Sequence, residues 1–135
     1  PSESRALLEE LKAKLEALRD PKSGGPVVLV ADITADVYHG SRLAESPDIQ
    51  VGFDYGYGNS DASSTGRVPH EVLEDNLGGT FNGNHLMAAE VVKGTLLTNA
   101  LVAEGAHSLK DLTVEILRQY GITPRVDQTG HPVLR

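Results

Sequence analysis

DIQVGFDYGYGNSDASSTGRVPHEVLEDNLGGTFNGNH, residues 48–85, is the stretch on which the fold turns. Its first part alternates. Ile49, Val51, Phe53, Tyr55 and Tyr57 share one face, against Gln50, Gly52, Asp54 and Gly56 on the other. A period of two with one apolar face predicts a strand over 48–57. Gly52 and Gly56 mark bulges or close approach by another backbone. Residues 58–67, GNSDASSTGR, are polar and predict a flexible loop. Residues 69–76 can form one or two helical turns, and 78–84 are rich in glycine and asparagine. The stretch therefore divides a helix-and-strand opening from a helical C-terminal third.

Upstream, Leu8, Leu11, Leu15 and Leu18 recur at three- and four-residue spacing, with Glu, Lys and Arg between them. That predicts an amphipathic helix over 2–19, within an N-terminal segment spanning 1–20. Ser2 or Ser4 can cap it, Glu3 favours its positive end, and Asp20-Pro21 stops it. PVVLVADIT, residues 26–34, is the best strand. Its apolar run 27–31 predicts burial on both faces. Residues 35–46 are mixed, with a turn at 39–41.

Downstream, helical spacing of Leu86, Ala89, Val92, Leu96, Leu97, Ala100 and Leu101 predicts a helix over 86–104, with Gly105 as its cap. Ser108 and Asp111 have capping-box spacing and open a second helix over 108–120. Leu109, Leu112, Ile116, Leu117 and Tyr120 form its apolar stripe. Residues 122–126 and 133–134 can pair as a terminal hairpin, weakened by Pro124 and Pro132. The sum is a single domain over 1–135, of α+β class: a small, mainly antiparallel sheet packed by about three helices. A three-layer α/β arrangement is the runner-up.

Composition excludes several functions. There is no cysteine, hence no disulfide scaffold, thiol nucleophile or thiolate metal site. The formal net charge is −7, and the twelve Lys and Arg are scattered, so no nucleic-acid patch is evident. The longest apolar run is far too short to span a membrane. The charged opening helix is unlike a signal peptide. A cytoplasmic or virion protein is expected.

Catalytic candidates are incomplete. Asp32, Asp36 and His39 lie at and beyond a strand end, where two carboxylates and an imidazole could hold a divalent metal and serve a hydrolase. The simpler reading is a turn with solvated side chains, because the spacing matches no established metal motif. His70 and Glu71, with Asp75, could supply acid and base groups. Ser60, Ser63 and Ser64 lack a nucleophile elbow. The 78–84 loop precedes the helix expected over 86–104 but carries neither phosphate-binding fingerprint. His85, His107 and His131 stand alone. No cofactor is expected.

Three resemblances bear on function. GGTFNGNH followed by LMAA is similar to a glycine/asparagine turn of class III aminotransferases, although the pyridoxal-lysine context of that family is missing. The opening helix, VVLVADIT and AHSLKDLTVEILRQYG are similar to proofreading 3′–5′ exonuclease domains of family A DNA polymerases. That family places Asp-x-Glu on its first strand; here the positions hold Asp32 and Thr34, which breaks the metal pair. The leading helix, GSRLAESPDIQVGFDYGYG and VPHEVLED resemble siphophage tail-completion and minor tail (neck) proteins over roughly residues 40–103. This implies a non-enzymatic subunit of a homo-oligomeric head–tail or tail-completion ring that contacts other protein subunits. Interface residues would be Leu8, Leu11, Leu15 and Leu18, with Phe53, Tyr55 and Tyr57. The alternatives are a metal-dependent phosphoesterase or nuclease using Asp32, Asp36 and His39, and a small-ligand module using the Phe53/Tyr55/Tyr57 face.

Overall fold

The structure, a computed structural model, describes residues 2–78, 83, 85–105 and 107–135. The chain forms two compact units, Pro1–Lys93 and Gly94–Arg135. The first contains α1 (Ser2–Glu16), β1 (Val28–Ile33), α2 (Thr34–Val37), a 3-10 turn (Leu43–Glu45), β2 (Ile49–Phe53) and α3 (Asp61–Ser64). The second contains α4 (Leu109–Gln119). A two-stranded antiparallel sheet with four helices makes this the expected small α+β fold. Two of the helices, α2 and α3, are single turns.

Three side-chain pairs at i,i+4 brace α1: Arg5 with Glu9, Glu10 with Lys14, and Lys12 with Glu16. The helix ends at Glu16, earlier than its leucine spacing predicts. The main chain beyond it pairs outward instead. Val27 N–H donates to Leu18 O at 3.2 Å and Asp20 N–H to Gly25 O at 2.9 Å. Gly24 closes this turn at φ +72°, a left-handed conformation that suits glycine. Leu15 and Leu18 thereby pack on the buried Val27, Val28 and Ala31, together with Ile49, Val51, Phe53, Tyr57 and Leu73. Each fully buried valine here contributes about 1.5–3 kcal/mol.

The sheet register runs Val28 with Phe53, then Val30 with Gly52 through Ile33 with Ile49. An irregularity lies between Val28 and Val30. Leu29, at that irregularity, is exposed, so β1 is not buried on both faces as its apolar run predicts. Beyond β2, residues 54–57 turn rather than extend. Tyr57 N–H donates to Asp54 O at 3.1 Å and Gly56 takes φ +86°. Gly52 is a point of close approach. A Cβ there would lie 2.7 Å from Val30 Cγ1 and 3.0 Å from Ala88 Cα. Residues 86–88 line up parallel to β2, with Phe53 N–H donating to Leu86 O and Ala88 N–H to Phe53 O.

That pairing overturns the helix expected over 86–104. With Ala88 held on Phe53 at 2.8 Å, the main chain is committed to the sheet. Downstream, Gly94, Thr95, Thr98 and Asn99 are weak helix formers. Thr98 Oγ1 accepts Ala100 N–H at 3.1 Å, a local bond that competes with helix. The terminal hairpin is also replaced. Residues 133–134 pair with 101–103 through an antiparallel bridge at Val102 and Leu134. The 69–76 stretch forms bends rather than helical turns. Within 58–67 lies the single turn α3, where Ser60 Oγ accepts Ala62 N–H at 3.2 Å.

The outer edge of β1 has a specific cover. Thr34 N–H donates to Asp48 O, so residues of even number in β1 face β2 after the irregularity, and Ala31 faces away. Two α1 side chains take up both groups. Glu16 Oε1 accepts Ala31 N–H at 3.1 Å, and Lys12 Nζ donates to Ala31 O at 2.6 Å. An open strand edge is thereby closed by a helix. Glu16→Ala is expected to lower the stability of the first unit by about 1–2 kcal/mol by orphaning the Ala31 amide. Glu16→Gln, which keeps an acceptor, is expected to lose less; chemical denaturation distinguishes them. Gly52→Ala is expected to cost about 1–3 kcal/mol by the same measurement, from overpacking against Val30 and Ala88.

Candidate functional site

The structure places the carboxylates beyond β1 in a structural setting. Asp36 lies on α2, where Arg5 of α1 holds it through two bonds, at 2.7 and 2.8 Å. This guanidinium keeps the Asp36 carboxyl below the usual range. Asp32 is half-buried opposite Gln50, and His39 is exposed on the loop beyond α2. Among the described residues, no three His, Asp or Glu side chains come together where they could hold a metal ion. His39 borders a shallow depression of about 380 Å³ with Tyr38, Arg42 and Ser46. The Arg42 guanidinium there pairs with Glu45 at 2.5 Å.

His70 and Glu71 are adjacent, 3.1 Å apart and almost wholly exposed. They border a second depression of about 320 Å³ beside Leu18, Arg19 and Leu73. Asp75 is drawn away from them by Lys22, at 3.0 Å. Ser60 is used as the cap of α3, and the Ser64 side chain lies outside the described residues, as does most of the 78–84 loop. The Phe53/Tyr55/Tyr57 face is divided. Phe53 and Tyr57 pack on the core, whereas Tyr55 is exposed. Tyr57 donates from its hydroxyl to Asp20 at 2.7 Å, pinning the turn after α1 and holding that carboxyl low.

The expected interface leucines are likewise divided. Leu15 and Leu18 belong to the first unit's own core and Leu8 is half-buried. Leu11 is exposed together with Leu7, one turn before it.

The feature that sequence reading missed is the orientation of α4. Three residues of its apolar stripe are open to solvent, Leu109 at 82%, Ile116 at 58% and Tyr120 at 79%, and Leu112 and Leu117 are half-buried. Its buried face is Asp111, Val114 and Glu115. Two carboxylates go inward because each collects hydrogen bonds from main chain. Asp111 Oδ2 accepts Ser108 N–H at 2.6 Å, completing the expected capping box. Its Oδ1 accepts His131 N–H at 2.7 Å. Glu115 Oε2 accepts the N–H groups of Val133 and Leu134 at 2.9 and 3.1 Å. Gln119 and Arg118 also donate to Glu115. Burial of a charge is tolerated when it is paired and hydrogen-bonded in this way. The i,i+4 spacing of Asp111 and Glu115 was the available signal, since it places both on the face opposite the leucines.

Comparison with protein-family models, curated proteins and solved structures finds no match. No helix among the described residues is long and apolar enough to cross a membrane.

The inward carboxylates set an acid limit on the second unit. The His131 N–H, then Ser108, hold Asp111 down at about 2. Gln119, then the Leu134 N–H, hold Glu115 below its ordinary value. Groups whose folded pKa is depressed stabilise the fold above their unfolded values, about 3.9 for Asp and 4.3 for Glu. That stabilisation is lost as pH falls through the folded values. The amide chemical shifts of His131, Val133 and Leu134 are expected to hold from neutral pH down to about 4 and to move to unstructured positions toward about 2.

Proposed function

We propose that the protein is a non-enzymatic structural subunit of a homo-oligomeric assembly, such as the head–tail or tail-completion ring that its sequence resembles. One observation carries this reading: α4 leaves Leu109, Ile116 and Tyr120 open to solvent while burying its acids. Exposed apolar side chains aligned on one helix face are a surface to be covered. The occupant is a second copy. Lys110 of α4 is exposed, and the helix's own carboxylates are turned inward. Leu7 and Leu11 of α1 are exposed one turn apart. An α4 face on one copy and an α1 face on the next each offer apolar side chains to the other. Such head-to-tail contacts close into rings when the rotation permits.

The hydrolase reading of Asp32, Asp36 and His39 lacks comparable support, because Asp36 is engaged by Arg5. Contacts with other protein subunits, in a virion or in the cytoplasm, follow from the assembly reading.

Native mass spectrometry tests the proposal. The wild-type chain is expected to form a defined multi-copy species. Ile116→Glu is expected to shift it to monomer while leaving α4 helicity unchanged, since the Ile116 side chain is exposed. A strictly monomeric wild type at high concentration sinks the reading.

A further inference from the structure

Residues 130–135 return along α4 and are gripped almost wholly through their main chain. His131, Val133 and Leu134 donate to Asp111 and Glu115. Pro132, between them, has no N–H to offer. Val133 O accepts Ala103 N–H at 2.7 Å, and Arg135 N–H donates to Leu101 O at 2.9 Å. The requirements on side chains are few. Gly130 passes so close to α4 that a Cβ would lie 2.3 Å from Lys110 O. Val133 is wholly buried.

The link between helix and strap is different in kind. Residues 121–129 are mostly exposed, with Val126 entirely so. A local turn, Gln128 N–H to Arg125 O at 2.9 Å, takes up its slack. Gly121, at φ +68°, is its hinge. Fully extended, these nine residues reach about 30 Å. The return along α4 needs only about 16 Å.

We propose that residues 130–135 form an exchangeable strap, docking on the α4 cradle of a second copy as well as on their own. This rests on the assembly reading and names one of its contacts. The chemistry of the cradle recognises an extended main chain bearing Gly at the first position and Val at the fourth, and every copy carries one. An empty cradle leaves two buried carboxylates without their donors, so it is filled from whichever chain is near. Opening the link sacrifices little, because it buries little. Exchange of an identical element is a low-cost route from monomer to assembly.

Complementation between two full-length variants tests this. Gly130→Val spoils the strap and keeps the cradle. Glu115→Ala spoils the cradle and keeps the strap. Glu115→Ala, labelled with ¹⁵N, is mixed with unlabelled Gly130→Val. The expected result is a heterodimer by native mass and at least about tenfold slower exchange at the labelled chain's Val133 and Leu134 amides, absent from either variant alone. Mixing with no change in those amides overturns the proposal. If circular dichroism shows that Glu115→Ala has lost α4, a synthetic peptide of residues 128–135 is titrated into Gly130→Val instead. Saturable binding upholds exchange and absence of binding overturns it. Wild-type particles of several copies alongside failed complementation overturn the strap alone, whereas a monomeric wild type overturns the assembly reading.

Discussion

In both units a helix carboxylate accepts main-chain N–H groups from an extended segment, and the surrounding structure depends on that interaction. In the first unit, Glu16 of α1 takes the Ala31 amide at the outer edge of β1, and Lys12 takes the carbonyl of the same residue. In the second, Asp111 and Glu115 of α4 take three amides from residues 131–134. Among the described residues the sheet has two strands, each with an edge that the other cannot satisfy. With few large apolar side chains to bury, charged acceptors supply what further strands would have supplied. A hydrogen bond to an ionised acceptor is roughly twice as strong as a neutral one, which suits so small a sheet.

The consequence for function comes from geometry. A helix has limited circumference, and α4 gives its inner face to Asp111, Val114 and Glu115. Leu109, Ile116 and Tyr120 are left on the outside. Leu15 of α1 and Leu18 just beyond it face the core, whereas Leu7 and Leu11 are exposed. The apolar surface offered to a partner is thus what remains after main-chain capping has taken its share. The carboxylates singled out as catalytic candidates, Asp36 and Asp75, are held by Arg5 and Lys22.

Much of the fold was legible where one periodicity dominated. The leucines of α1, the apolar run of β1 and the alternation of β2 each gave an element of the right type. The Ser108–Asp111 spacing gave the correct start of α4, and Gly52 marked a true close approach. Failures arose where long-range pairing outweighed local preference. Residues 86–104 have helical spacing, yet the bonds from Phe53 to Leu86 and Ala88 draw their start into the sheet. Residues 133–134 find Leu101 and Ala103 rather than 122–126. The orientation of α4 was illegible for another reason. Hydrophobic spacing identifies an apolar face but does not show whether it points inward. That was decided by hydrogen bonds to Asp111 and Glu115 from residues some twenty positions away.

Residue-resolved amide hydrogen exchange on the intact chain at neutral pH tests carboxylate capping most directly. Ala31 is predicted to exchange as slowly as its ladder neighbour Asp32. His131, Val133 and Leu134 are predicted to match Ala103, whose amide is bonded to main chain. Exchange of Ala31 and of the 131–134 amides at the rate of the polar residues 58–60 would contradict the account.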